Sequence, residues 1–367
     1  MAALLAFLAG AVLAADTPSH NALLTLINTR SAGKPKEYEE AAKIVLADAQ
    51  AGKPLQQFVI ALASQDPDAP RCARIGDSLR REFLAASRPK IKALAERRNN
   101  SLAWYLLAVE SNDHTILKKA VDAGNIQAMN AWGTMKLNEA LNTPLVDTNE
   151  LQNIYMESYR CFKSTADSGD PNGCYNLGMC YMSGYGVEPN AAKAMECFLA
   201  AAKHGHPEAI NNLGGFYRDG IVVAKDPVRA AKMFAKSADF GNAYGELNYA
   251  LALLRGEGVE KDEERAARML CASARKGNLE AINAYGECLF RGTGVKKDYP
   301  EAFKWFNIAA RRGFAPAMEN YAMCLESGIG GAPKDFNQAT VWRIRARALR
   351  GDRNATAWLI QNGHDLR

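Results

Sequence analysis

The residue types that most often carry out catalysis are few in this sequence and do not lie at catalytic spacings. Its five histidines are not arranged as His-Glu-x-x-His, the pattern that places two zinc ligands on one face of a helix. The sequence also contains no Cys-x-x-Cys pair and no Gly-x-Ser-x-Gly nucleophile motif. We therefore predict a protein that is not an enzyme and that binds no metal or cofactor; a hydrolase is the alternative.

One pair of residues does have a spacing that enzymes use. Ser87 and Lys90 stand in a Ser-x-x-Lys arrangement, as in serine enzymes that react with penicillin, where a helical turn brings hydroxyl and amine together. Pro89 lies between them, and we expect it to break this helix because proline lacks the amide proton that a helix interior requires. No Lys-Thr-Gly motif follows, so the pair is predicted not to be catalytic.

Basic side chains are concentrated in one short stretch, which contains only Glu82 and Glu96 as acidic residues. The basic residues are Arg80, Arg81, Arg88, Lys90, Lys92, Arg97 and Arg98. The chain as a whole carries a net charge of +5, which is too mild to indicate a nucleic-acid-binding protein. Two interpretations are open: a solvated helix face, or a docking patch for an acidic partner or an anionic surface of the cell envelope.

The larger pattern that must position any site is a repeat of 36 residues. A small residue recurs at this interval, and a glycine follows it six positions later each time, from Gly184 to Gly328. The small residues are Gly178, Gly214, Ala250, Gly286 and Ala322. A constant period of this size is typical of a solenoid, in which each short unit buries its apolar face against its neighbours.

Each unit is predicted to contain two antiparallel helices. In the first helix, residues such as Ile210, Leu213 and Phe216 are spaced to form one buried stripe, and the small residue lets a neighbouring helix approach closely. The second helix follows a residue whose side chain can cap the first free backbone amides. These predicted caps are Asn190, Asp226, Asp262, Asp298 and Asp335.

An asparagine recurs two positions before the small residue, in a row that Ala284 interrupts. The row consists of Asn176, Asn212, Asn248 and Asn320. This position lies about 200° around the helix from the small residue, so the same neighbour need not bury it. We hypothesise that these amides form a ladder that hydrogen-bonds the backbone of an extended peptide. The alternative is that each asparagine ties its helix to the next unit.

The repeated sequence resembles the Sel1-like repeats, which are relatives of tetratricopeptide repeats. The resemblance rests on Leu177-Gly178, on Gly-x-Gly-Val loops such as 292–295, on the cap Asp298 and on the closing Gly313; Ile221-Val222-Val223 departs from the loop pattern. It implies an all-α fold, a solenoid of antiparallel helix pairs wound as a right-handed superhelix. It also implies a non-enzymatic adaptor or scaffold that binds protein or peptide partners on the concave face.

The cysteines at shared repeat positions, Cys161 and Cys197 at one and Cys180, Cys288 and Cys324 at another, are predicted to be small core residues, and Cys72 and Cys271 are not assigned a role. Cys180, Cys288 and Cys324 occupy the repeat position that Phe216 and Ala252 fill in sister units, and free cysteine packs like a small hydrophobic residue. The family that this chain resembles includes cysteine-rich proteins, in which a disulfide stabilises each repeat. Here the position opposite Cys174 is Ala166, so that pattern fails.

Residues 1–15 are almost wholly apolar, are too few to span a bilayer, and end in Val12-Leu13-Ala14, which is similar to a signal-peptidase site. We therefore expect a signal peptide, a mature chain without a transmembrane span, and a periplasmic or secreted location. No Lys or Arg precedes the apolar run, which leaves a cytoplasmic protein as the alternative. An exported protein would favour a second function, assistance to peptidoglycan or polysaccharide machinery in the cell envelope.

The remaining chain is predicted to have two parts. Residues 16–127 match the 36-residue repeat only in part and are predicted to be degenerate helical repeats. The alternative is a separate helical domain. Residues 128–367 are predicted to be the regular solenoid, closed by a C-terminal capping helix. Residues 138–153 interrupt the period, so we expect a longer loop there.

Overall fold

The structure is a computed structural model that describes residues 35–51, 53–63, 76–142 and 148–365. In these ranges the chain forms α-helices and one short 3₁₀ helix, without a β-strand. Successive helices pack as antiparallel pairs within each of two compact units, so the predicted all-α solenoid is confirmed. The predicted signal peptide at 1–15 lies outside the described residues, as does Cys72.

The two units are Met1–Ile210 and Asn211–Arg367. The first contains α1 (Pro35–Gln50), α2 (Pro54–Ala63), α3 (Asp77–Arg98), α4 (Ser101–Ser111), α5 (His114–Asp122), α6 (Ile126–Asn142), α7 (Thr148–Asp167), α8 (Pro171–Ser183) and α9 (Ala191–Lys203). Helix α10 (Pro207–Asp219) spans the division. The predicted boundary at 127/128 concerns the sequence pattern and stays a prediction.

The second unit continues the alternation of first and second helices. It contains α11 (Pro227–Asp239), α12 (Ala243–Arg255), α13 (Glu263–Arg275), α14 (Leu279–Arg291), α15 (Tyr299–Arg311), α16 (Ala315–Ser327), the 3₁₀ helix Ile329–Gly331, α17 (Phe336–Leu349) and α18 (Arg353–Gln361). None of the helices described has the length and apolar character to cross a membrane.

The predicted helix boundaries of the regular repeats are confirmed by their hydrogen bonds. The side chain of each predicted cap accepts a hydrogen bond from the backbone N–H three residues later, as Asp262 does from Arg265 at 2.9 Å. At the other end of each first helix, a glycine adopts a left-handed conformation, as Gly256 does with φ 68°. A residue with a Cβ is strained there, which explains why glycine recurs at this position.

Where the small residue of a first helix is glycine, it packs against a phenylalanine ring of the second helix in the same unit. A Cβ added to Gly178 would lie 2.6 Å from Cε1 of Phe198, and one added to Gly286 would lie 2.7 Å from Cε1 of Phe306. Where the small residue is Ala250, the corresponding position holds the smaller Leu270. In that unit the smaller side chain opposite leaves room for the Cβ of Ala250.

Two expectations about element boundaries were wrong. Pro89 does not break its helix, because α3 runs through it from Asp77 to Arg98. The residues that interrupt the period, 138–153, do not all form a loop. Positions 138–142 extend α6, and positions 148–153 begin α7. In both places turn-forming residues are incorporated into a longer helix.

Candidate functional site

The four asparagines of the predicted ladder lie on first helices and are half-buried. Asn176 lies on α8, Asn212 on α10, Asn248 on α12 and Asn320 on α16. Their placement on equivalent helices follows from the 36-residue period. Neither their binding of a peptide nor the docking role of the basic residues is tested by the structure, and both stay predictions.

Three of these asparagines donate a hydrogen bond to an asparagine of the preceding first helix. Asn176 donates from Nδ2 to Oδ1 of Asn130 at 2.9 Å. In the second unit, Asn248 donates to Asn211 at 2.9 Å, and Asn320 donates to Asn283 at 2.9 Å. The amides thus form pairs between consecutive repeats, the kind of contact that the alternative interpretation expected.

The acceptor asparagines were missed in the sequence. Asn211 precedes Asn248 by 37 residues, and Asn283 precedes Asn320 by the same distance, so each pair joins neighbouring positions of the repeat and not the same one. The sequence feature that could have revealed them is an asparagine directly before the ladder position, which occurs in alternate repeats. At the intervening contact the same two positions hold Leu247 and Ala284, which belong to one apolar cluster.

The amide pairs retain hydrogen-bonding capacity. An asparagine side chain has two N–H donors and a carbonyl acceptor, and a single amide–amide hydrogen bond uses one donor of one residue and one acceptor of the other. Around Asn320 the second acceptor is Glu287, whose Oε1 lies 3.2 Å from Asn320 Nδ2 and also accepts from Asn283. Asn248 and Asn320 are half-buried, so each retains some exposed surface.

Asn248 also lines a small cavity in the second unit, between α10, α11 and α12. Its volume is about 40 Å³, and its wall includes Arg218, Arg255, Phe234 and Leu251. Arg218 donates to both carboxylate oxygens of Asp219 at 2.8 Å, which raises the pKa of the guanidinium and lowers that of Asp219. Glu257 also lines the cavity, 3.9 Å from Arg255, so each guanidinium has one carboxylate neighbour; the N–H groups left over, with the amide, can bind one further carboxylate or carbonyl group.

The seven basic residues of the predicted docking patch all lie on α3, and part of their charge is neutralised. Arg80 pairs with Asp77 at 3.1 Å, Arg88 with Glu110 at 3.2 Å and Lys92 with Glu96 at 3.8 Å. Arg81 donates from Nε to the backbone oxygen of Asp77. No carboxylate of the described residues pairs with Lys90, Arg97 or Arg98, which are exposed.

The Ser-x-x-Lys pair does not form a catalytic arrangement. Ser87 is fully buried and donates its hydroxyl proton to the backbone oxygen of Phe83, whereas Lys90 is exposed. The hydroxyl of Ser87 is therefore engaged by burial and by this hydrogen bond, and the helix that carries the pair is not broken as expected. In the described part of the chain, His, Cys, Asp and Glu form no group of three that could hold a metal ion.

The described cysteines are free thiols, and those of the shared repeat position are buried. Cys180 and Cys324 are fully buried, and Cys288 is nearly so. Burial raises the pKa of the Cys180 thiol to about 12 and those of Cys288 and Cys324 to about 11. They remain protonated at neutral pH and pack as small apolar residues.

The fold is shared with solved structures of repeat proteins. A Sel1 repeat protein from Oxalobacter formigenes superposes with a TM-score of 0.57 at 26% identity, covering 68% of this chain and 99% of that one. A protective antigen of uropathogenic Escherichia coli strains with an SLR fold has a TM-score of 0.54 at 24% identity, covering 87% of this chain and 66% of its own. No curated protein matches the chain.

The family itself is identified by five adjacent matches. The Sel1 repeat matches residues 171–206, 207–242, 243–278, 279–314 and 315–348. Each match contains one first helix and one second helix of the structure. Sel1 repeat proteins generally mediate protein–protein interaction, and their fold is typically a non-catalytic scaffold. With five consecutive repeats and the matching fold, this chain is a Sel1-like repeat protein.

Proposed function

We propose that this protein is a non-enzymatic adaptor that binds extended segments of partner proteins along the surface of its first helices. The observation that carries the proposal is the half-buried amides Asn248 and Asn320 on first helices of the second unit; Asn176 holds the equivalent position in the first unit. A peptide backbone offers alternating donors and acceptors, and amides are the side chains that can satisfy both. The same residues also join the repeats, so the hydrogen bonds that hold the surface together pre-organise it for binding.

The cavity beside Asn248 suggests which side chain of the partner is recognised there. Arg218 and Arg255 both line it, and its volume of about 40 Å³ is too small for a large ring. An aspartate or glutamate carboxylate would receive charge-assisted hydrogen bonds from the guanidinium groups and an additional one from the amide. We propose that a carboxylate of the bound segment occupies this cavity.

The test is selection of peptides on the full-length protein, followed by affinity measurements with charge-neutral variants. We expect selected peptides to be acidic and to lose at least tenfold in affinity when Arg218→Gln and Arg255→Gln are combined. The matched control is Arg268→Gln with Lys304→Gln, which removes two positive charges from the second helices α13 and α15. Affinity in this control should stay within about twofold of wild type. Equal losses in both double variants, or no loss in either, would refute the proposed surface.

A further inference from the structure

A second surface in the other unit has the features of a binding site. A groove of about 570 Å³ lies between α3, α4 and α5. Arg88 and Lys92 line it from α3, Trp104 and Leu107 from α4, and Ile116 and Lys119 from α5. It is separate from the amides of the first helices described above, and it contains two of the basic residues that the sequence singled out.

The floor of the groove is apolar and its aromatic ring is held in place. Leu107 is buried, and Trp104 and Ile116 are half-buried, so a ligand side chain can cover apolar surface that water now contacts. The indole N–H of Trp104 donates to Oδ1 of Asn99 at 3.1 Å, and Lys119 Nζ lies 4.9 Å from the ring centroid. The ring therefore has a fixed orientation before any ligand arrives.

The rim of the groove carries an excess of positive charge. Glu96 lies 3.8 Å from Lys92, and Glu110 lies 3.2 Å from Arg88, so these two cations have acidic neighbours. No carboxylate of the described chain forms an ion pair with Lys119. A ligand that supplied a carboxylate beside Lys119 would complete the charge balance of the rim.

One atom of the groove lacks a hydrogen bond. Oε2 of Glu110 is buried and accepts no hydrogen bond from the described residues, although the Arg88 guanidinium lies close to it. A buried acceptor without a donor costs stability, and rotation of the Glu110 carboxylate toward a ligand N–H in the groove would remove that cost. The groove thus calls for a ligand that brings an N–H group, a carboxylate and an apolar group within a short distance.

We propose that the groove between α3, α4 and α5 binds an acidic peptide segment of a partner protein. A peptide carboxylate lies beside Lys119 and Arg88, an aliphatic side chain of the peptide covers Leu107 and Ile116, and a peptide N–H donates to Glu110. Nucleic acid and anionic lipid surfaces fit less well, because Lys119 is the one cation of the lining without an acidic partner among the described residues, which suits a single carboxylate and not a row of closely spaced phosphates.

The experiment uses the full-length protein and a fluorescein-labelled peptide of alternating glutamate and leucine, with a lysine–leucine peptide of equal length as the specificity control. Anisotropy titrations should show saturable binding of the acidic peptide alone, weakening as salt is raised. The variant Arg88→Gln with Lys119→Gln should weaken binding at least tenfold. The matched control Lys90→Gln with Arg97→Gln removes two charges from α3 outside the groove and should change the affinity less than twofold.

Ile116→Lys tests the apolar floor. It keeps the charge favourable for an acidic peptide but places a long cation over Leu107, so binding should fall although the net charge rises. Circular dichroism of each variant confirms that the helices are intact. Peptide binding that the groove variants leave unchanged, or that the control variant weakens equally, overturns the proposal. A second outcome also overturns the proposal: the acidic peptide fails to bind, whereas phosphatidylglycerol vesicles or an oligonucleotide bind to the wild type and not to the Arg88→Gln, Lys119→Gln variant.

Discussion

Asn248 donates from Nδ2 to Oδ1 of Asn211 at 2.9 Å, so that an amide of one first helix is held by an amide of the preceding one. One repeat further along, the corresponding positions hold Leu247 and Ala284, which pack in the apolar core. The same contact between repeats is therefore built in two ways, by a hydrogen-bonded amide pair or by an apolar pair. In each of these two pairs both residues are of one kind.

This relationship predicts the outcome of exchanging one kind of pair for the other. Asn248→Ala alone leaves the amide of Asn211 without its partner and should cost about 1 kcal/mol or more of unfolding free energy. Adding Asn211→Leu copies the Leu247 and Ala284 pair, and it should restore part of that loss. Urea unfolding of the wild type and the single and double variants measures the coupling. A double variant that is less stable than the sum of its single changes would contradict the interpretation.

The asparagine pairs show what a periodic sequence can and cannot predict. The period identifies the four ladder positions because equivalent residues must lie on equivalent helices. It does not identify Asn211 or Asn283 as their partners, because the offset between two packed first helices depends on how their surfaces fit. A spacing of 37 in place of 36 becomes meaningful only once that fit is known.

Local signals were reliable where one residue decides the outcome, as with the caps. Asp298 caps α15 through its own side chain, and this depends on no distant contact.

Pro89 shows the opposite case. A proline inside a helix costs about 3 kcal/mol, but Phe83 and Ile91 are buried on either side of it, and burying each is worth about 1.5–3 kcal/mol. Tertiary packing therefore outweighs the local preference.

The contact between Gly286 and Phe306 gives a second prediction. On helix propensity alone, Gly286→Ala would stabilise α14 by about 1 kcal/mol. The added Cβ would lie 2.7 Å from Cε1 of Phe306, a ring that is almost fully buried, so we expect a net destabilisation of about 1–3 kcal/mol.

Phe306→Leu provides the matched partner for this change, because Ala250 and Leu270 already form the equivalent combination. Phe306→Leu alone should leave a cavity, and Gly286→Ala should partly fill it. Thermal unfolding of the four proteins in this cycle should give a favourable coupling. Strictly additive effects would mean that the ring moves aside freely and that its size does not select the glycine.

Val222 gives a third prediction, because it is a β-branched residue with φ 67°. The equivalent loop positions hold Gly186, Gly258 and Gly294, with φ between 66° and 72°. Left-handed backbone at a residue with a Cβ costs about 1–2 kcal/mol, part of which the greater freedom of glycine in the unfolded chain offsets. We expect Val222→Gly to stabilise the protein by about 0.5–1 kcal/mol in thermal unfolding.

The neighbouring Val223 supplies the control for that experiment. It is also in the loop but is not among the described residues with positive φ. Val223→Gly should therefore relieve no strain; it increases the entropy of the unfolded chain, removes a half-buried side chain and lowers the melting temperature. If both valine substitutions lower the melting temperature alike, backbone strain at Val222 is not significant.

The last prediction concerns the start of α10, where a histidine takes the place of the usual cap. Nδ1 of His206 accepts a hydrogen bond from the backbone N–H of Ala209 at 3.4 Å, and the ring stacks on Tyr175 at a centroid distance of 4.6 Å. Only a neutral imidazole can accept at this atom. Burial lowers the pKa of His206, and the nearby Glu208 carboxylate acts in the opposite direction with a smaller effect.

Because the pKa is lower in the folded protein, the unfolded chain binds a proton at a higher pH than the folded chain does. Stability should therefore decrease as the pH falls below about 6.5, the ordinary pKa of histidine. His206→Asn should remove this dependence and keep the cap, since Asn242 and Asn278 cap the equivalent helices. Denaturant unfolding of both proteins from pH 7.5 to 5 should show similar stability at neutral pH and a widening advantage of the variant in acid. If the wild type instead becomes more stable relative to the variant as the pH falls, the pairing of protonated His206 with Glu208 is the dominant interaction. The interpretation of His206 as a neutral cap would then be wrong.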